Sequence, residues 1–314
     1  MSSMMTPEQI WQWRLSLEVK LRRLHGDALQ DFFSTVMERY HKTDFVRVRP
    51  HGTLGDKGCD GYVLSTGRLY QCYGKIADAA LNVSRTKAKI LEDFGKAKKN
   101  FGSTMKEWHF VHNILDGLPS EVITTIGYLK ANNPNYTFGL AGYEWFVDTI
   151  FSLPKSDIVE FLGPIATADQ THGLNLDEVR ELLVGVTMHI DRVPIDEGAP
   201  GRVPVDKLEF NELARHWQAF IRSGSANAPN VEKYFKRHHN PEFGKIVAAS
   251  YKNKYAALKK QCLVPDAIMS ELYIQTAGNG TVPGERIVAV QAVLAYVFDA
   301  CDIFEDCPEA VTGR

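Results

Sequence analysis

Near residue 45 the apolar residues of this chain change their spacing, and that change limits the possible folds more than any other feature. Up to Tyr40 they recur every three to four residues. Ile10, Trp13, Leu17, Leu21 and Leu24 form one stripe, and Ala28, Leu29, Phe32, Phe33, Val36, Met37 and Tyr40 form a second. Thr6-Pro7-Glu8-Gln9 opens the first helix with a capping hydroxyl and a proline at the first helical position, and Gly26 separates the two helices. From Phe45 the pattern alternates. Phe45 to Arg49 reads as a strand, Pro50 to Gly58 as a glycine-rich connection, and Asp60 to Leu64 with Arg68 to Tyr73 as a hairpin closed by Ser65-Thr66-Gly67. Striped helices followed by alternating strands bury both patterns by laying helices on a sheet.

The remaining elements extend that picture. A basic helix is expected from Ser84 to Asn100, strands at Trp108 to His112 and Tyr136 to Leu140, a helix starting near Pro119 between those strands, and another from Tyr143 to Leu153. The first half is thus expected to be α/β, a mixed sheet flanked by helices. Strand signals fade around Leu153-Pro154-Lys155 and the polar stretch Ala166 to Gly173. Helices are expected beyond, at Leu176 to Ile190, Leu208 to Arg222, Val231 to Arg237, Gly244 to Lys260, Ala267 to Thr276 and Arg286 to Phe304. Asp191 to Val205, rich in proline and glycine, reads as a loop among them. Two domains are expected, 1–155 and a mainly α-helical 156–314, because 314 residues exceed the roughly 250 to 300 at which one core stops growing.

Composition excludes several classes. At 44% hydrophobic residues the chain can bury a full core, so disorder is not expected. The formal charge of −2 supplies no whole-molecule attraction for nucleic acid, which leaves local basic patches. Five cysteines, an odd number with no CxxC pair, point to a reducing cytoplasm. The start is too polar for a signal peptide, and Ile287 to Phe298 is too short an apolar run to span a bilayer, so no membrane partner is expected.

The chemistry concentrates in HGTLGDKGCDGYVLSTGRLYQCYGK, from His51 to Lys75. With Thr66 and Gly67 as the turn, Tyr62 faces Gln71 and Asp60 faces Tyr73. Asp60, Gln71 and Tyr73 then share one face of the hairpin. Asp60 and Gln71 become diagonal neighbours, about 7 to 8 Å apart at the backbone, a span that a carboxylate and an amide oxygen can bridge through one hard cation. Mg²⁺ (or Mn²⁺) suits such a pair, because it takes oxygen ligands and keeps several waters.

These residues resemble the Mrr-like branch of the PD-(D/E)xK nucleases, which carries GDxGxDG on one strand and QxK on the next. Gly55-Asp56-Lys57-Gly58-Cys59-Asp60-Gly61 fits the first motif and Gln71 the glutamine of the second. The resemblance covers about the first 150 residues and implies a restriction-endonuclease-like core with Asp60 and Gln71 on the metal and Asp56 shaping the loop. Gly26-Asp27-Ala28-Leu29-Gln30 resembles the family's GxxFE, which makes Gln30 a supporting outer ligand. One position departs: the lysine of QxK is Tyr73 here. The cation that stabilises the transition state is then Lys75, which keeps the strand parity, or Lys89 on the following helix, with Lys87 and Lys57 as weaker alternatives. The chain is also similar to nuclease domains of antiphage effectors, most of all the nuclease subunit of the Lamassu, or ABC three-component, systems. That resemblance implies an SMC-like ATPase and a small accessory protein as partners, and self-association on activation.

Basic residues complete the reading. Lys57, Arg85, Lys87, Lys96, Lys98 and Lys99, with Lys106, are positioned to track the backbone of double-stranded DNA, although a solvated helix face has the same composition. A second basic cluster, Lys233 to Lys260, suits DNA, an acidic protein surface, or the acidic chain end from Asp299 to Glu309 of another copy. The leading expectation is a Mg²⁺-dependent DNA endonuclease of a bacterial defence complex. The rivals are a catalytically inactive nucleic-acid-binding or assembly subunit on the same fold, and an RNase.

Overall fold

The structure is a computed structural model describing residues 5–49, 57–75, 81–187, 205–278, 282–300 and 303–305. Asp56, the loop expected over Asp191 to Val205 (apart from Val205 itself) and the expected helix end at Ile190 lie outside them. Packing divides the chain into two units. Among the described residues, one takes Leu17 to Leu162; the other combines residues 5–16 with those from Gly163 on.

Helix α1 (Pro7–Arg23) begins in the second unit and ends in the first, where α2 (Asp27–His41) follows it and precedes strand β1 (Phe45–Arg47). Then come β2 (Gly61–Val63), β3 (Arg68–Tyr73), α3 (Val83–Phe101), β4 (Glu107–His112), α4 (Ser120–Asn132), β5 (Thr137–Ala141), α5 (Tyr143–Phe151) and α6 (Lys155–Leu162). The strands form one sheet in the order β1-β2-β3-β4-β5. β1, β2 and β3 pair antiparallel, the short β2–β3 connection allowing no other arrangement, while β3, β4 and β5 pair parallel, each step crossing through a helix. The fold class is mixed α/β.

Alternation along the strands decides which helix meets which side. Leu69, Trp108, Phe110 and the half-buried Phe138 pack with Ile90, Phe94 and Ala97 of α3 and Val122 and Leu129 of α4. On the other side Tyr70 lies 5.1 Å, ring to ring, from Phe33 of α2 and 6.1 Å from Trp145 of α5. Phe32 stacks on Phe146 at 5.9 Å, and α6 adds Phe161 edge-on to Phe32 at 6.2 Å.

The second unit is helical: α7 (Ala168–His172), α8 (Leu176–Thr187), α9 (Val205–Phe210), α10 (Arg215–Ser225), α11 (Ala228–Arg237), α12 (Phe243–Lys260), α13 (Pro265–Ala277) and α14 (Gly284–Ala300). α14 is buried on nearly every side, from Val288 to Phe298, as an all-apolar helix must be. α10 lies against it so closely that a Cβ on Gly224 would overlap the carbonyl oxygen of Gln291. The single helix expected over Leu208 to Arg222 is two, α9 and α10. Asn211 turns its side chain onto the carbonyl of Lys207 at 2.7 Å and Glu212 takes the left-handed φ of 52°, a local bond that competes with the helical ladder. The last expected helix is described over Gly284–Ala300 and does not include Phe304, whose φ is 62°.

Candidate active site

Asp60 sits immediately before β2. Its amide donates to the carbonyl of Tyr70 (2.8 Å) and its carbonyl accepts from Val48 (3.0 Å), so its backbone is fixed on both sides. The carboxylate is 3% exposed and accepts from donors on both oxygens. Oδ1 accepts from Gln30 Nε2 of α2 at 2.7 Å; Oδ2 accepts from Gln71 Nε2 and from the backbone amide of Cys72, each at 2.7 Å. Such charge-assisted bonds favour the ionised carboxylate.

The hairpin register differs from the expected one. Val63 pairs with Arg68 and Tyr62 with Leu69, so the connection is the four residues Leu64 to Gly67, with Gly67 at φ 69°, rather than a two-residue turn. The shift is two residues. Because side chains alternate with period two, Gln71 stays on the expected face while moving from a diagonal position into direct hydrogen-bonding reach of Asp60.

Gln71 is also 3% exposed, and its Oε1 is buried with no hydrogen-bond partner among the described residues. An orphaned acceptor costs about 1–3 kcal/mol, and a cation resolves it. Among the described residues no three His, Cys, Asp or Glu side chains gather as a metal cluster. The donor set on the described residues is the Asp60–Gln71 pair. It fits a hard ion that takes one carboxylate and one amide oxygen and keeps its waters.

Gln30 is a supporting residue: besides Asp60 it reaches the carbonyl of Val48 at 3.4 Å. Gly58, at φ 78°, packs on α3 so tightly that a Cβ would overlap the carbonyl oxygen of Asp93, and Lys57 beside it is exposed. Tyr73 shares a hydrogen bond of 2.8 Å with Thr86 of α3 and packs on Phe110. β3 ends at Tyr73, so Lys75 does not continue the strand parity. Its backbone is held by Asn113, which accepts from its amide (2.7 Å) and donates to its carbonyl (3.3 Å). Lys89 bonds the buried carboxylate of Asp93 at 2.8 Å. In the basic run, Lys96 pairs with Glu92 and Lys98 with Asn133, whereas Arg85 and Lys99 are exposed and Lys87 is half-buried.

Three features had no place in the sequence reading. Asn113 also donates to the carbonyls of Leu21 and Leu24, tying the end of β3 to the turn between α1 and α2. Asp93 was passed over because a carboxylate on a basic helix carries no spacing signal. His112, buried and accepting at Nδ1 from the amide of Ile114, is driven by burial down to about 4, and burial likewise lowers His109. The Cys72 thiol is pushed up by burial and by the nearby Asp60, which favours its neutral form.

The fold and site thus define a mixed α/β sheet protein with a buried carboxylate–amide pair on a central hairpin, followed by a helical unit. Residues 185–305, within that helical unit, match the family described as C-terminal domain 10 of the ABC-three component (ABC-3C) systems. The match supports a role as one component of a multi-component defence complex of that kind. No curated protein and no solved structure matches the chain. Among the described residues no helix is long and apolar enough to cross a membrane.

Proposed function

We propose that this chain is a Mg²⁺-dependent DNA endonuclease, the effector of an ABC-3C complex directed against phage or plasmids. The observation that carries the reading is the Asp60–Gln71 pair, buried, hydrogen-bonded at 2.7 Å and left with the orphaned Gln71 Oε1. The order of strands and crossover helices is compatible with a restriction-endonuclease-like core, in which such a pair holds the catalytic ion.

Held by Asp60 and Gln71, a Mg²⁺ would supply Lewis-acid polarisation of the scissile phosphate and a lowered pKa for the attacking water. The chain's own residues hold and frame it. Asp60 and Gln71 would contribute the oxygens, Gln30 fixes the carboxylate's orientation, and Gly58 holds the chain just before Asp60 against α3. A lysine, Lys75 or Lys89, meets the charge that develops on the phosphate. Lys57, Arg85, Lys87 and Lys99 bind the flanking phosphates of double-stranded DNA. The likeness of residues 185–305 to an ABC-3C domain supports assembly with other components of such a system; an SMC-like ATPase and a small accessory subunit as those components, self-association on activation and a cytoplasmic site of action are what the resemblance of the sequence implies.

The test is supercoiled plasmid incubated with the full-length protein, alone and with the proteins encoded beside it, in Mg²⁺ or in chelator. Cleavage is expected only with Mg²⁺, and Asp60→Asn is expected to reduce it to background. Mg²⁺-dependent cleavage surviving in that variant overturns the site. Preference for an RNA substrate would make the protein an RNase. A second reading, a non-catalytic DNA-binding or assembly subunit, is favoured by Tyr73 at the lysine position and by the donors already on Asp60. DNA binding without cleavage in every assembly state identifies it.

A further inference from the structure

The strand position that lacks a lysine touches the helix that carries one. Tyr73 Oη lies 2.8 Å from Thr86 Oγ1, and Thr86 is a buried residue in the first turn of α3. Asp93 follows seven residues later, about 10 Å along the helix axis, with its backbone against Gly58. These two contacts bracket the candidate site: Tyr73 stands two residues after Gln71, and Gly58 two residues before Asp60. Lys89 is three residues after Thr86 and four before Asp93, on the same helical face as both.

Within that bracket a buried carboxylate holds the ammonium. Asp93 is 1% exposed, and Lys89 Nζ lies 2.8 Å from its Oδ1 while the lysine side chain remains 41% exposed. Burying a carboxylate is costly unless it is paired. A surface lysine that only solvates a helix needs no such partner. The pairing instead ties the Lys89 ammonium to α3 four residues along, between the Tyr73–Thr86 and Gly58–Asp93 contacts. Lys75 has no comparable arrangement, since its described bonds are those of its backbone to Asn113.

Resting on the nuclease reading above, we infer that Lys89 is the cation that meets the scissile phosphate and that Asp93 is its positioning residue. Tyr73 does not carry the charge; it straps α3 to β3 so that the helix can present it.

The experiment uses the full-length protein and plasmid DNA. Asp93→Asn is expected to lower kcat for Mg²⁺-dependent cleavage on the order of tenfold to a hundredfold, the scale of a small misplacement, with KM for DNA little changed. Lys89→Ala falls at least as far. Adding Tyr73→Lys to Lys89→Ala returns a lysine to the strand and restores part of the lost rate, an outcome that a merely structural role for Lys89 does not produce. A second readout needs no turnover: acetylation of Lys89 by an amine-reactive ester, followed by peptide mass spectrometry. Metal-free duplex DNA is expected to shield Lys89 in the wild type and to shield it less in Asp93→Asn. A wild-type protein that cleaves while Asp93→Asn or Lys89→Ala cleaves at the same rate overturns this inference and leaves the nuclease reading standing. Should Asp93→Asn fail to fold, absence of rescue by Tyr73→Lys overturns it. A wild type that cleaves nothing in any assembly while DNA still shields Lys89 overturns the nuclease reading and keeps the phosphate contact.

Discussion

The bonds to Asp60 set what its replacement does. Oδ2 accepts from a backbone amide and from Gln71, and Oδ1 from Gln30. Asp60→Ala strands these buried donors, so this variant is expected to lose about 1–3 kcal/mol of stability as well as its cleavage. Asp60→Asn keeps an acceptor for Cys72 and Gln71, and the Gln30 amide can turn to accept from the new NH₂. Urea denaturation should therefore place Asn near the wild type and Ala clearly below it. His112 gives a pH prediction. Its folded value of about 4 lies below the ordinary 6.5, so the unfolded chain binds the proton first as pH falls. The stability from keeping it neutral is complete above pH 6.5 and lost progressively down to pH 4, by about 3 kcal/mol in all. His112→Asn retains an acceptor for Ile114 and should show a flatter urea midpoint over that window. A slope equal to the wild type's would contradict the assignment. The identity and side of Asp60 and Gln71 were legible in the sequence, because both follow from residue type and strand parity. Their direct hydrogen bond was not, because it depends on the length of the turn.

Element packing explains the glycine that precedes Asp60. Gly58 combines φ 78° with a fit in which any Cβ overlaps the Asp93 carbonyl. Gly58→Ala therefore strains the backbone and pushes the loop off α3. It is expected to cost on the order of 1–3 kcal/mol, visible as a lowered melting temperature, and to reduce cleavage more than an equally destabilising change elsewhere. The bounds of α3, β3 and α12 were nearly readable from periodicity, since each is a long run with one pattern. The break between α9 and α10 was not read, although Asn211 is the kind of residue whose side chain replaces a backbone partner. A periodic apolar stripe continues across such a break, so periodicity alone does not reveal it.

At the scale of the whole molecule, a net charge of −2 provides no long-range attraction for DNA, and affinity must come from a few placed cations. With Lys96 and Lys98 occupied by Glu92 and Asn133, Arg85 and Lys99 are the exposed cations on α3 best placed to meet phosphates. Measured binding should weaken linearly in log–log form with salt, and Arg85→Glu with Lys99→Glu should reduce the slope by roughly one for each phosphate no longer bound. An unchanged slope would place the DNA surface elsewhere. The ABC-3C match at residues 185–305 rests on a helical unit whose sequence offered patterning but no chemical motif, whereas the motif-bearing first unit is where function was sought. Local chemistry in the sequence by itself determined the strands and the longer helices, the face each strand turns to its helices, and the glycine-flanked Asp60 with Gln71 near it, because spacing along one segment encodes all of these. Only the tertiary structure decided the register of the hairpin, the orphaned oxygen of Gln71, the strap from Tyr73 to Thr86 and the buried Asp93 beneath Lys89. Each of those depends on turn geometry or on which helix face settles onto which strand, and that is set by packing between segments rather than by spacing within one.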